Sequence, residues 1–272
     1  MENLFNMGRI FYAIAIAEIG VQSIYCLDFP YMLPLPAHFW IAGRVVLAVI
    51  FGLMCVVAAV FIFLEKRIRQ VSALFGTVLL VLFCFYYIPY EFLTSPNFMH
   101  LGEWENAEKE LALAGGAFVI AGCFSETNKN RHFRFLGKQI TFGAILFSVT
   151  MISFGILHFL EAEGVSTMIP TWISHPLFWA YAAGVALIGS GISIIFKIKT
   201  GLFASLLGAM ILTWFLLLHI PRVVAAQDAD LGGEVTSAFL ALAYSGIAFV
   251  IAGAALKLGW SGSREVRKSE SQ

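Results

Sequence analysis

The chain has 272 residues, 60% of them hydrophobic and 12% charged, with a mean hydropathy of +0.85. Soluble domains are roughly 45–50% apolar and about 25% charged, so a buried core alone does not account for this composition, and intrinsic disorder is excluded. Seventeen Lys and Arg balance seventeen Asp and Glu, which leaves no overall field to draw in a nucleic acid. The expectation is an all-α integral membrane protein lying in a lipid bilayer.

A bilayer-crossing helix needs ~20 mostly apolar residues. Eight segments qualify, roughly 8–27, 38–64, 71–88, 108–124, 139–160, 176–196, 201–220 and 235–256. The first is expected to persist as a helix. Its exit, Ser23-Ile24-Tyr25-Cys26-Leu27-Asp28, has no small-x-small cleavage site, and Tyr25 spoils a lipid-attachment motif at Cys26. Glu18 lies near its middle. Arg44 falls eight residues into the second span if that helix starts around Pro36. Charges inside a membrane are costly and face a cavity, an interior or each other. A Glu18–Arg44 pair would be a packing device or part of a proton- or substrate-linked site. Both residues are expected within contact distance.

Short links at Lys66–Arg69 and Lys197–Thr200 force antiparallel helix hairpins. A polar, basic stretch at 125–138 divides the chain. Lys and Arg concentrate on one side of the membrane, with 14 of 17 in the termini and the links on that side; only Lys109 and Arg222 fall in the opposite loops. The positive-inside rule then puts both termini in the cytoplasm, at the inner (plasma) membrane. Acidic residues, among them Glu103, Glu105, Glu108, Glu110, Glu161, Asp228 and Glu234, gather on the outer side.

The sequence repeats itself. Ala117-Phe118-Val119-Ile120-Ala121-Gly122 recurs unchanged from Ala248 to Gly253, and Tyr87-Ile88-Pro89 parallels His219-Ile220-Pro221. Met32-Leu33-Pro34 parallels Met168-Ile169-Pro170, and Phe39-Trp40 parallels Phe178-Trp179. Four ordered matches divide the chain into a first four-helix repeat (1–127), a cytoplasmic basic linker (128–138), a second four-helix repeat (139–256) and a cytoplasmic polar tail (257–272). Units of four spans enter the membrane the same way up. The expected architecture is therefore eight transmembrane helices in two parallel-repeat bundles, related by a pseudo-two-fold axis along the membrane normal.

Five of six histidines, His38, His100, His158, His175 and His219, fall near the outer side, while His132 sits in the linker. A histidine at a helix end is by default an interfacial hydrogen-bonder. The second repeat makes a sharper case, because His158 and His219 occupy equivalent depths at the ends of spans five and seven. His175 and Trp172 lie in an intervening loop, and Arg222 follows Pro221, expected to end its helix. Serine 23, Tyr87 and Tyr90 stand at the matching places of the first repeat. His158, His219 and Arg222 are expected to converge with Trp172 over a cavity, with Glu161, Asp228 or Glu234 as the counter-ion. Such a set suits proton relay, or a quinone-like or anionic ligand. No metal site is assigned, since no His-x3-His or Cys-x2-Cys occurs. Cys26, Cys55, Cys84 and Cys123 are scattered through apolar segments and are expected as small core residues. No phosphate-cradling or dinucleotide motif opens a helix.

The second repeat resembles the DoxX/DoxD-like family of four-helix membrane proteins. The resemblance rests on Gly155-Ile156-Leu157-His158-Phe159, Ile169-Pro170-Thr171-Trp172, Pro176-Leu177-Phe178-Trp179 with Gly184, and Leu216-Leu217-Leu218-His219-Ile220-Pro221-Arg222. It covers 139 to about 256, and two fused units depart from the family's usual single one. The resemblance implies a small membrane subunit associated with a quinone-linked oxidoreductase, such as one of thiosulfate oxidation, and hence a redox partner subunit and a quinone as cofactor or ligand. Three functions stay open at this point: an accessory redox protein binding a ligand at the outer mouth of the second repeat, a transporter or channel using Glu18 and Arg44, and a structural or assembly protein without a ligand. Whether the chain is an enzyme is not legible.

Overall fold

The computed structural model describes residues 2–30, 43–124 and 132–258, and every regular element among them is helical. The helices are α1 (Glu2–Cys26), α2 (Arg44–Phe63), α3 (Ile68–Leu82), α4 (Ile88–Thr94), α5 (Glu105–Cys123), α6 (His132–Leu160), α7 (Ala162–Met168), α8 (Pro176–Ile195), α9 (Thr200–Trp214), α10 (Ile220–Ala225) and α11 (Asp228–Leu258). His38, the Met32-Leu33-Pro34 and Phe39-Trp40 landmarks, linker residues 125–131 and the tail from 259 onward lie outside the described residues.

Seven helices are long and apolar enough to cross a membrane, as a multi-pass membrane protein requires. The eighth expected span is α5. It is a helix of 19 residues, but Glu105, Glu108, Lys109 and Glu110 crowd its first two turns and keep it below the apolarity of the other seven. Lys109 therefore belongs to a helix rather than to an outer loop. From Lys109 to Gly122 every α5 residue is buried, because α3, α6 and α11 surround it. A helix that touches little lipid can carry charges that a lipid-facing one cannot.

Helix α1 packs on α2 and α11, α6 packs on α8 and α5, α3 lies on α5, and α9 lies on α11. Each packing in the first half thus has a counterpart in the second, and α5 and α11 form the core. Glycines let the closest backbones meet. A Cβ on Gly246 would stand 2.5 Å from the Gly8 carbonyl oxygen, and one on Gly115 would stand 2.6 Å from that of Gly143. Where water supplies no drive between helices, such close approach is what holds them. Arg9, 5% exposed, donates to the carbonyls of Ile62 and Phe63 at the end of α2 and pairs with Glu65 at 2.7 Å.

The hairpins α2–α3 and α8–α9 share a further peculiarity. Glu65 and Arg67 in one, and Lys197 and Lys199 in the other, hold left-handed backbones with φ of 57°, 47°, 58° and 44°. For residues other than glycine this costs about 1–2 kcal/mol each, and the two tight links carry that cost at corresponding places.

The second helix starts later than expected. Gly43, at φ 88°, turns the chain into α2 and Arg44 is its first residue, so Arg44 stands at a helix end and not deep in a span. Proline 221 does not end its helix either. In a regular α-helix its ring would press on the carbonyl of Leu217 and remove a hydrogen bond. Instead the turn Phe215–His219 widens to π-helical geometry, with the Ile220 N–H reaching back to the Phe215 carbonyl, and the chain continues through α10 to Ala225. Phe83–Tyr87, ahead of Pro89, widens in the same way. One extra residue per turn gives each proline its room.

Candidate functional site

A cavity of about 1510 Å³ opens in the second half, and His158, His219 and Arg222 all line it. It exceeds the roughly 300–1,000 Å³ of common small-molecule sites. Its deeper wall is apolar, with Met151, Leu187, Met210, Ile211 and Leu240, and acidic and basic side chains line other parts of it.

His158 is in the last turn of α6, where its Nδ1 lies 2.7 Å from the Phe154 carbonyl oxygen. His219 closes the wide turn after α9, and its Nδ1 is buried with no partner. Arg222, on α10, reaches across to Glu234 on α11 through two hydrogen bonds, Nε to Oε2 at 2.8 Å and Nη2 to Oε1. Of the three counter-ions expected from the sequence, Glu234 is the one used.

Two expected members are elsewhere. Trp172 is 68% exposed and does not line the cavity, where Trp179 and Trp214 supply the indoles instead, packed edge-to-face at 6.2 Å. His175 holds a left-handed backbone just before Pro176 at the start of α8 and is exposed.

Sequence reasoning missed the contribution of α5. Lys109 and Glu105 line the cavity and pair at 2.7 Å. Tyr244, from α11, also lines it, and its hydroxyl donates to the Lys109 carbonyl at 3.5 Å. The available signal was the charge itself: Glu105, Glu108, Lys109 and Glu110 run directly into the apolar stretch that begins at Leu111.

Glu18 and Arg44 do not form an ion pair. Arg44 binds Asp28 through Nε at 2.6 Å and Nη2 at 2.9 Å, which its place at the start of α2 brings within reach. Glu18 Oε2 is buried without a hydrogen-bond partner. In the first half the positions matching the two histidines are closed. Ser23 is fully buried and donates to the carbonyls of Asp28 and Ala48 at 2.9 and 3.1 Å. Tyr87 is 3% exposed, and Tyr86 stacks on Tyr90 with ring centroids 6.0 Å apart. Glu110 is fully buried, and neither of its carboxyl oxygens has a partner.

All four cysteines are free; Cys55 is buried, whereas Cys26 and Cys84 are exposed. Among the described residues no group of three or more His, Cys, Asp or Glu is placed to hold a metal ion. Compared with models of known families, with curated proteins and with solved structures, the chain matches none.

Proposed function

We propose that this is a DoxX-like, duplicated membrane protein that binds a quinone-like ligand in the cavity of its second half, as the accessory component of a quinone-linked redox system. The observation that carries the reading is that His158, His219 and Arg222 line one cavity together with apolar side chains. A quinone's polar ring needs hydrogen-bonding groups and its tail needs an apolar channel. The electron chemistry belongs to a partner subunit, and the ligand itself is the only cofactor in this reading. The rival reading, transport by way of a Glu18–Arg44 pair, loses its motive because Arg44 is bound to Asp28.

The same reading takes the chain as two four-helix repeats related by a pseudo-two-fold axis along the membrane normal, with α5 as the eighth span. The matched packings, the two wide turns before Pro89 and Pro221, and the matched left-handed residues of the two hairpins support it. Both termini then face the cytoplasm at the inner (plasma) membrane, following the basic residues. A reporter fused to the C-terminus reads out on the cytoplasmic side if this is right, and an external readout overturns both the span count and the orientation.

The test of ligand binding is extraction in mild detergent followed by mass spectrometry of co-purified quinones. Wild-type protein retains quinone; His219→Ala and Arg222→Ala lose it while keeping a folded size-exclusion profile. Retention by both variants, or no quinone on the wild type, overturns the reading.

A further inference from the structure

The two histidines of the cavity carry opposite hydrogen-bonding character. A carbonyl only accepts, so the proton of the neutral His158 ring sits on Nδ1, donated to Phe154 at 2.7 Å. Its Nε2 is then a bare acceptor with no protein partner. At His219 the Nδ1 atom is buried and unpartnered. A buried N–H without an acceptor is rarer than a buried lone pair without a donor, which places the His219 proton on Nε2. One ring offers an acceptor to the cavity and the other offers a donor.

The cations of the cavity are already committed. Arg222 is bound by Glu234 and Lys109 by Glu105, while Glu161 and Asp230 add further negative charge to the lining. An anionic head is repelled, and one made only of carbonyls leaves His158 Nε2 without a donor. A hydroxyl both donates and accepts, so it satisfies either ring.

We infer that the cavity selects an uncharged, hydroxyl-bearing aromatic head on an apolar tail, and hence the reduced, quinol form of the ligand over its oxidised form. This rests on the quinone-like reading above and concerns binding alone.

The test titrates the full chain, in nanodiscs, by calorimetry with three probes: decylubiquinol, decylubiquinone and the dimethyl ether of decylubiquinol. The last two can accept hydrogen bonds but not donate them. The expected result is at least tenfold tighter binding of decylubiquinol than of either other probe. His158→Leu abolishes the difference in affinity between decylubiquinol and decylubiquinone. The wild-type comparison needs no variant, so it stands even if His158→Leu fails to fold. Equal affinities, or tighter binding of the oxidised form, overturn the inference and leave the quinone-like reading intact. Binding of none of the three overturns both.

Discussion

The two halves of the protein share a helix plan and differ in what fills it. Tyr87 and His219 end equivalent wide turns. The tyrosine is 3% exposed in the core, whereas the imidazole lines a cavity of about 1510 Å³. Counting from the shared Ala-Phe-Val-Ile-Ala-Gly run, Glu110 corresponds to Ala241. Glu110 is fully buried, and Ala241 is part of the cavity wall. Two side chains per half therefore go far toward deciding whether the space between similar helices is closed or open. The backbone supplies the chamber and residue volume decides its use.

The largest expected effect attacks what the halves share. Gly246→Val and Gly115→Val each place a side chain where a Cβ alone stands 2.9 Å or less from backbone atoms of the facing helix: Gly8 O and Tyr12 N for the first, Gly143 O and Phe147 N for the second. Backbone cannot yield as a side-chain tip can, so each substitution costs roughly 3 kcal/mol, at the upper end of usual overpacking penalties. Unfolding of the purified protein in denaturing detergent measures it. Similar losses at the two sites sharpen the comparison; a large loss at one and none at the other breaks it.

The next attacks what the halves do not share. Ala241→Leu extends a side chain from α11 into the cavity, making the second half resemble the first. Decylubiquinol affinity falls by more than tenfold, and stability changes by about 1 kcal/mol or less because the space is already empty. Unchanged binding would mean that the ligand sits elsewhere.

Much of this was legible in the sequence, and the failures have a common origin. Seven spans follow from apolar length alone, and the sequence singles out His158, His219 and Arg222, all of which line the cavity. The register of individual turns was not legible. That Gly43 starts α2, and that the turn before Pro221 widens instead of ending, are backbone decisions made by packing. They moved Arg44 to Asp28 and carried α9 on into α10. Lys109 was read as a loop residue because burial by neighbouring helices is a tertiary fact. Lys109 is 6% exposed only because α5 lies between the two halves.

A smaller contrast lies in two doubly bonded arginine pairs, Arg44–Asp28 in the first half and Arg222–Glu234 in the second. Glu234 is 18% exposed beside Arg222, and Asp28 is 45% exposed beside Arg44. Water screens the second pair more strongly, while the first leaves a less hydrated cation behind when broken. Glu234→Ala is expected to cost about 2 kcal/mol and Asp28→Ala about 1 kcal/mol, measured by thermal denaturation in the same detergent. The reverse order would mean that the cavity wall is more hydrated than its burial indicates.

The smallest effect is expected at Glu18, and it separates two accounts of a charge within a span. If Glu18 balanced Arg44, removing its charge would strand a cation and cost as much as removing the arginine. The geometry gives Arg44 to Asp28, through bonds of 2.6 and 2.9 Å, and leaves Glu18 Oε2 buried without a partner. Glu18→Gln keeps the shape and removes a group that the membrane interior disfavours, so no ion pair is lost and stability moves by no more than about 0.5 kcal/mol in either direction. Arg44→Gln, by contrast, breaks a bidentate pair and lowers stability by about 1 kcal/mol. Melting temperatures of the two variants, taken side by side, decide the matter: a drop in Glu18→Gln equal to that in Arg44→Gln would restore the pairing between them and overturn the assignment of Asp28 as the partner.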